Sequence, residues 1–355
     1  MKALVLSGGS GTRLRPFSYS MAKQLIPIVN KPVLEYVLEN IRALGITEVG
    51  IIVGDWAREI SDVVGDGSRL GLRITYIPQE EPLGLAHCVT LARGFLGDDD
   101  FLMYLGDNML PEGIGEIERE FRARRPAAQV LVRKVADPRA FGVAETAPDG
   151  SVIRLVEKPQ QPRSNLALIG VYFFTPAIHR AVASIEPSGH GELEITDAIQ
   201  WLVETGADVR ASEYHGYWKD TGQTEDVLDC NQKLLGGLRP EVLGSVDDFS
   251  ELNGQVRVEP GARVVRSRVD GPAVIGAGSV LEDCHIGSNT SIGRDCVLSS
   301  TRIRDSIVMD GARIQDVPGL QNSLIGRNAA VGTGRSGASC HSLVVGDHTR
   351  IEVAA

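Results

Sequence analysis

Residues 3–13 read Ala3-Leu4-Val5-Leu6-Ser7-Gly8-Gly9-Ser10-Gly11-Thr12-Arg13. Four apolar residues closed by a run containing Gly8, Gly9 and Gly11 form the pattern of a buried strand that ends in a glycine-rich loop. Glycines there let backbone N–H groups come close to an anion. Two familiar phosphate loops do not fit. The P-loop pattern ends in Gly-Lys-Ser/Thr, and this loop has Thr12-Arg13 instead. The dinucleotide pattern, started at Gly9, requires a glycine where Leu14 stands. Arg13 lies in the loop, and Arg15 and Lys23 follow it. Planar Arg forks and Lys point charges recognise different phosphate oxygens.

Downstream, strand and helix patterns alternate. Pro32 to Leu44 carries Leu34, Val37, Leu38, Ile41 and Leu44 at helical spacing, with Pro32 suited to the first turn and Gly45 to the stop. Val49 to Val53 is a strand, residues 72–78 another, residues 84–96 a helix and residues 101–105 a strand. This order predicts a mixed, mostly parallel α/β sheet. Ligands in such folds gather beyond the carboxyl ends of the strands, where the glycine loop and Gly106-Asp107-Asn108 both fall. Residues 129–135 and 141–146 read as strands. Pro148-Asp149-Gly150 reads as a turn into a hairpin arm at 152–156, and residues 168–174 as a buried strand. Helical patterns follow at 176–185, 192–205 and 224–235.

Beyond Gly236-Gly237 the texture changes. Apolar residues recur six apart at Ile286, Ile292 and Leu298. Val258 to Val264, Val269 to Ile275, Val308 to Ile314 and Ile325 to Val331 repeat the step. A period of six with one inward side chain per unit is the pattern of a hexapeptide parallel β-helix, here expected to be left-handed, in which stacking supplies the core. The Gly- and Ser-rich stretch from Val331 to Leu343 is expected to loop out. The domain reading is therefore a first domain over 1–237, a linker over 238–252 and the β-helix over 253–355.

The chain has 355 residues, enough for two domains at roughly 150 residues each. Its 43% hydrophobic content supports a large core. The formal charge of −10 disfavours general nucleic-acid binding, which needs a basic face, but leaves room for small anions held by a few aimed cations. The N-terminal apolar run is too short for a signal peptide, and no apolar stretch is long enough for a membrane span. The five cysteines show no paired spacing, which argues against a zinc site or disulfide framework and fits a reducing cytoplasm. Neither a Ser-His-Asp nor a Cys-His arrangement is evident, and the seven histidines lack ligand spacing.

Residues 8–32, GGSGTRLRPFSYSMAKQLIPIVNKP, resemble the signature of the sugar-1-phosphate nucleotidylyltransferases. Further segments agree in order: PQEEPLGLAHCV at 78–89, YLGDNML at 104–110, FGVAE at 141–145, VEKPQQPRSNLALIGVYFF at 156–174 and GYWKDTG at 216–222. Within the family, the chain is most similar to the long thymidylyltransferases that carry a β-helix tail. The resemblance implies a Rossmann-like nucleotidyltransferase core that transfers dTMP from dTTP to α-D-glucose 1-phosphate. The products would be dTDP-glucose and pyrophosphate, the first step towards dTDP-deoxysugars.

It also implies site residues. Arg13 and Lys23 match triphosphate-binding positions, and Leu6, Gly8, Gly9, Gly11, Thr12, Gln24, Gln79, Pro82 and Gly84 complete the nucleotide site. Gln79 and Gly84 match the positions that read the pyrimidine. Lys158 matches the lysine that holds the sugar phosphate, and Pro159 is expected to keep Lys158 extended. Glu157 matches the residue that takes the glucose hydroxyls, with Gly142, Asn108, Val171 and Tyr172 around it. Asp107 and Asp220 match the metal-binding aspartates, and Mg²⁺ is the implied cofactor. The implied partners are dTTP and glucose 1-phosphate, with a homo-oligomer in the cytoplasm and neither nucleic acid nor membrane.

The same loop serves uridylyl and adenylyl enzymes, and a glutamine pairs with thymine or uracil alike. A bifunctional enzyme with acetyl transfer in the β-helix is another alternative, for which His285, His341 and His348 are the candidate bases. A non-catalytic sugar-nucleotide sensor is the third, and it would have no need to keep both aspartates.

Overall fold

The computed structural model describes all residues except Ser10, His190, 335–342 and 355, together with the side chains outside 333, 334 and 352–354. The chain divides into two compact units. One comprises Met1–Ser10 and Leu34–Asp220, the other Gly11–Val33 and Thr221–Ala355.

The first unit is built on a nine-stranded sheet. Its strands are β1 (Lys2–Ser7), β2 (Glu48–Val53), β3 (Arg73–Pro78), β4 (Phe101–Leu105), β5 (Ala128–Lys134), β6 (Gly142–Thr146), β7 (Val152–Glu157), β8 (Leu166–Phe174) and β9 (Val209–Glu213). β1 pairs in parallel with β2 and β4, and β2 with β3. All of Ala3 to Ser7 is buried, as expected for a parallel strand covered on both faces. Gly50 of β2 has a packing reason: a Cβ there would lie 2.9 Å from the Phe95 ring of the covering helix. β8 enters antiparallel to β4, β5 and β6, so the sheet is mixed. Its register shifts between Leu168 and Tyr172, around Gly170 at φ 74°. β6 and β7 form the hairpin read around Pro148-Asp149-Gly150. β9 was not legible in the sequence, because only its first residue is fully buried and it lacks a clear apolar alternation.

The second unit contains a helix, Thr224–Leu235, and a parallel β-helix. Val258, Ile275, Ile292, Val308 and Ile325 form one inward column. Val264, Leu281, Leu298, Ile314 and Val331 form a second, and Val269, Ile286, Ile303 and Leu320 a third. The six-residue step read in the sequence carries the chain from one column to the next. Corners at Asp283, Asn289, Asp295, Asn322 and Asn328 have positive φ, which short polar side chains tolerate.

The helix begins earlier than expected. Residues 238–252 include the strands Glu241–Val242 and Ser245–Val246 and the start of Glu251–Asn253, all in register with the next coil. These strands are mostly exposed, so their apolar period is faint. At the other end, Ala330–Gly334 continues as a strand against Arg350–Ala354. The rest of the stretch expected to loop out, residues 335–342, lies outside the described residues. No helix among the described residues is long and apolar enough to cross a membrane.

Candidate active site

In the first unit, β1, β2 and β3 end together. Gln79 follows β3, and its backbone N–H donates to the Val53 carbonyl at 2.8 Å. Its side chain is turned to the glycine loop: a Cβ on Gly8 would lie 2.7 Å from Gln79 Oε1. Gln79 Nε2 lies 3.3 Å from His87 Nδ1. Gly8 also meets Gly54, where a Cβ would come 3.0 Å from the Gly8 carbonyl. Ser7 Oγ is buried here with no hydrogen-bond partner among the described residues. Gly84, at φ 105°, leaves no room for a side chain, since a Cβ would lie 2.5 Å from the Leu193 carbonyl. That carbonyl accepts from the Ala86 N–H at 2.9 Å, and the Leu193 N–H donates to the Leu83 carbonyl at 2.8 Å. Leu6 is buried beside these tips, whereas Gly9 and Pro82 are exposed.

The two candidate metal ligands come together. Asp107 follows β4 and is 6% exposed. Lys219–Asp220 pairs antiparallel with Asn108–Met109, putting Asp220 opposite Asn108 and one register position from Asp107. Trp218 Nε1 donates to Asn108 Oδ1 at 2.7 Å, and Asn108 Nδ2 reaches Asp107 Oδ1 at 3.5 Å. Among the described residues there is no cluster of three or more His, Cys, Asp and Glu able to hold a metal. Two carboxylates suit Mg²⁺, which commonly takes one or two and completes its shell with water and substrate phosphate.

A second group surrounds Glu157. Thr196 Oγ1 donates to Glu157 Oε2 at 2.6 Å, and Lys158 Nζ lies 3.1 Å from Glu157 Oε1. A Cβ on Gly142 would come 2.8 Å from Thr196 Oγ1 and 3.1 Å from Glu157 Oε2. Burial and then the Glu157 charge raise the pKa of both Glu194 and Asp197. Burial opposes the Lys158 charge, but Glu157, Glu194 and Glu192 outweigh it and raise the Lys158 pKa. Tyr172 is fully buried, and its phenol is pushed up by burial and by Glu157 and Glu194. Val171 is its neighbour on the strand, so the two side chains take opposite faces. Tyr172 stacks on Phe174, while Phe173, on the Val171 side, stacks on Phe121. One expectation fails here. Lys158 is not extended before Pro159 but sits at φ 40°, in the left-handed region. Its N–H donates to the Phe141 carbonyl at 3.1 Å, and this tertiary bond accompanies a backbone that the dipeptide alone disfavours.

Arg13, Lys23, Gly11, Thr12 and Gln24 belong to the second unit. Gly11 at φ 63° opens the short turn Thr12–Leu14. A Cβ on Gly11 would lie 3.2 Å from Lys23 Cβ and 3.3 Å from Ser18 Cβ. Thr12 and Arg13 are exposed and Lys23 is half-buried. Gln24 is 1% exposed, and its Oε1 has no partner among the described residues.

Sequence reasoning missed Trp218, Thr196, Glu194 and His87. Trp218 lies two residues before Asp220, and His87 stands in the quoted PLGLAH segment. Neither Thr196 nor Glu194 carries a local signal. Of the candidate acyl-transfer bases, His285 Nε2 lies 2.7 Å from Asp270 Oδ2 on an outward-facing strand, and His348 sits at a corner with φ 57°. His341 lies outside the described residues.

Residues 2–236 match the family model described as nucleotidyl transferase, and residues 269–353 match the one described as GMPPB C-terminal domain. The chain is 54% identical over 353 residues to glucose-1-phosphate thymidylyltransferase of Streptomyces griseus, covering 99% of each chain. It is 53% identical to the enzyme of the same name from Streptomyces antibioticus, again over 99% of each. A Bacillus anthracis structure assigned as a glucose-1-phosphate thymidylyltransferase, solved with sucrose, superposes with a TM-score of 0.61 at 31% identity. That match covers 65% of this chain and 94% of the other. From the glycine loop to the last coil, then, this chain belongs to the nucleotidyl transferase family, in the group of the full-length glucose-1-phosphate thymidylyltransferases.

Proposed function

We propose that the protein transfers dTMP from dTTP to α-D-glucose 1-phosphate, releasing pyrophosphate. The observation that carries this reading is the pairing of Asp220 with Asn108, which brings two aspartates distant in sequence to the rim of one sheet. The nucleophile is a phosphate oxygen already ionised near neutral pH, because its second pKa is about 6. No general base is required. The barrier lies in bringing two polyanions together in line, so catalysis rests on positioning and charge neutralisation.

Each residue then has a task. Gln79 presents an amide to the imide edge of the base, with its Nε2 engaged by His87. The close approach at Gly8 and the stitched Gly84 turn leave flat backbone for the nucleotide. Arg13 and Lys23 hold the triphosphate and draw charge from the leaving pyrophosphate. Gln24 Oε1 and Ser7 Oγ are buried without hydrogen-bond partners among the described residues, an arrangement that costs stability unless a ligand uses them. Lys158 holds the sugar phosphate, and Glu157, fixed by Thr196, accepts the sugar hydroxyls. Asp107 and Asp220 would hold Mg²⁺, which supplies charge neutralisation on the phosphates when bound. The four described cysteines are free and buried, in keeping with a cytoplasmic enzyme.

Pyrophosphate release across dTTP, UTP and ATP, each with several sugar 1-phosphates, tests the reading. The expected result is fastest turnover with dTTP and glucose 1-phosphate. Turnover with UTP or ATP and none with dTTP would overturn the thymidylyl assignment.

A further inference from the structure

The segment that carries Arg13 and Lys23 forms one compact unit with the β-helix. Two sets of contacts hold it there. Between Arg13 and Lys23, the Ser20 carbonyl accepts from Nη2 of Arg327 of the β-helix at 2.8 Å. Arg327 is itself fixed from two directions. Its Nε donates to Asp347 Oδ2 at 2.8 Å and its backbone N–H to Asp347 Oδ1 at 2.7 Å. The Asp347 side chain is fully buried. Beside it the backbone of the last coil abuts the segment, since a Cβ on Gly346 would lie 3.3 Å from Pro16 Cβ.

At its end, Asn30 Nδ2 donates to the Ile292 carbonyl at 2.7 Å. Val29 N–H donates to Asn231 Oδ1 at 3.0 Å, and that oxygen also accepts from Ser291 Oγ at 2.7 Å. Asn231 Nδ2 donates onward to the Asn289 carbonyl at 3.2 Å. Val29 and Asn30 form the turn of the short hairpin Pro27–Ile28/Lys31–Pro32, and both have positive φ; Asn30 tolerates this, whereas the branched Val29 does so at a cost. Ser18 and Lys23, which flank Ser20, pack against the Gly11 turn next to Arg13.

We infer that the β-helix anchors the segment that carries Arg13 and Lys23, with Arg327, locked by Asp347, as the positioning residue that sets the conformation of that segment. The inference rests on the reading that Arg13 and Lys23 bind the triphosphate. It gives the tail a task in nucleotidyl transfer without chemistry of its own. Arg327 touches neither substrate in this reading. It acts through the backbone at Ser20: Nη2 meets both that carbonyl and Asp347 Oδ2, the latter at 2.7 Å, while Nε also holds Asp347, a fork whose second nitrogen a lysine lacks.

The test uses the full chain. Arg327→Lys, Asp347→Asn and Asn30→Ala are compared with the parent in steady-state assays that vary dTTP and glucose 1-phosphate separately. Arg327→Lys is expected to raise KM for dTTP and lower kcat, for a combined loss of about tenfold or more in kcat/KM. KM for glucose 1-phosphate should stay within about twofold, which general loosening of the fold would not spare. Cleavage by trypsin within 11–33 should be faster in the variant and slowed by dTTP. Arg13→Ala, run alongside, separates the two ideas. If Arg13→Ala leaves dTTP kinetics unchanged, the triphosphate reading fails. If Arg13→Ala abolishes turnover while Arg327→Lys and Asp347→Asn keep parental dTTP kinetics and parental proteolysis, the positioning role is wrong.

Discussion

The indole N–H of Trp218 donates to Asn108 Oδ1 at 2.7 Å, and so fixes which end of the Asn108 amide faces Asp107. The opposite side is closed by Gly170, where a Cβ would lie 2.7 Å from Asn108 Nδ2. Trp218 also meets Phe141 edge-on, with ring centroids 5.5 Å apart. Trp218→Phe should keep the ring contact and lose the donor. Leaving a buried acceptor unpaired costs about 1–3 kcal/mol. The expected outcome is a fall in kcat of about tenfold and a higher Mg²⁺ requirement, read by titrating Mg²⁺ in the pyrophosphate assay. A parental Mg²⁺ curve would separate Trp218 from the aspartates.

Asp107→Asn and Asp220→Asn should each lower turnover by about a hundredfold or more, since each removes a charge facing the phosphates. Thermal unfolding without Mg²⁺ should hardly change. Unchanged activity in either variant would remove that residue from the metal site.

Two glycines make opposite forecasts. Gly8→Ala pushes a Cβ onto the movable end of Gln79, so the fold survives and KM for dTTP rises about tenfold. Gly84→Ala pushes a Cβ into the Leu193 backbone at φ 105°, so stability falls by about 2–4 kcal/mol. Denaturant unfolding of the two variants tests the contrast.

Thr196→Val removes the 2.6 Å hydrogen bond to Glu157 while keeping the shape. KM for glucose 1-phosphate should rise about tenfold, with KM for dTTP nearly unchanged. An equal rise in both would show that Thr196 serves the fold and not the sugar pocket.

His179 predicts an acid sensitivity. Its two ring nitrogens are buried, and the ring stacks on Phe101 with centroids 6.1 Å apart. Burial, and then Arg93, lower its pKa from the ordinary 6.5. The unfolded chain therefore takes up the proton first. Its stability contribution is present above pH 6.5 and is lost as the pH falls through the lowered folded value. His179→Phe should flatten the stability decline below pH 6.5 in urea unfolding. An identical slope in both proteins would assign the sensitivity to other groups.

Much of the fold was legible because it is written in short-range periods. The run Ala3 to Leu6 and the six-residue steps follow from alternation and stacking, which need only neighbouring residues. The same pattern put Asp107 at the end of an apolar strand, while its assignment to the metal came from the family resemblance. The strand Val209–Glu213 and the first coil at 241–253 were not, because their residues are largely exposed and carry little period.

Most of the elements, the repeat and the inventory of charged groups therefore follow from the sequence. Which of them meet depends on packing between distant parts of the chain. Thr196 reaches Glu157 from another element, Trp218 orients Asn108, and Lys158 takes a left-handed backbone against its own Pro159. Arg327 holds Ser20 from 307 residues away. Local propensity acts over a few residues, whereas these contacts depend on chain closure over tens to hundreds, and no window of sequence contains both partners.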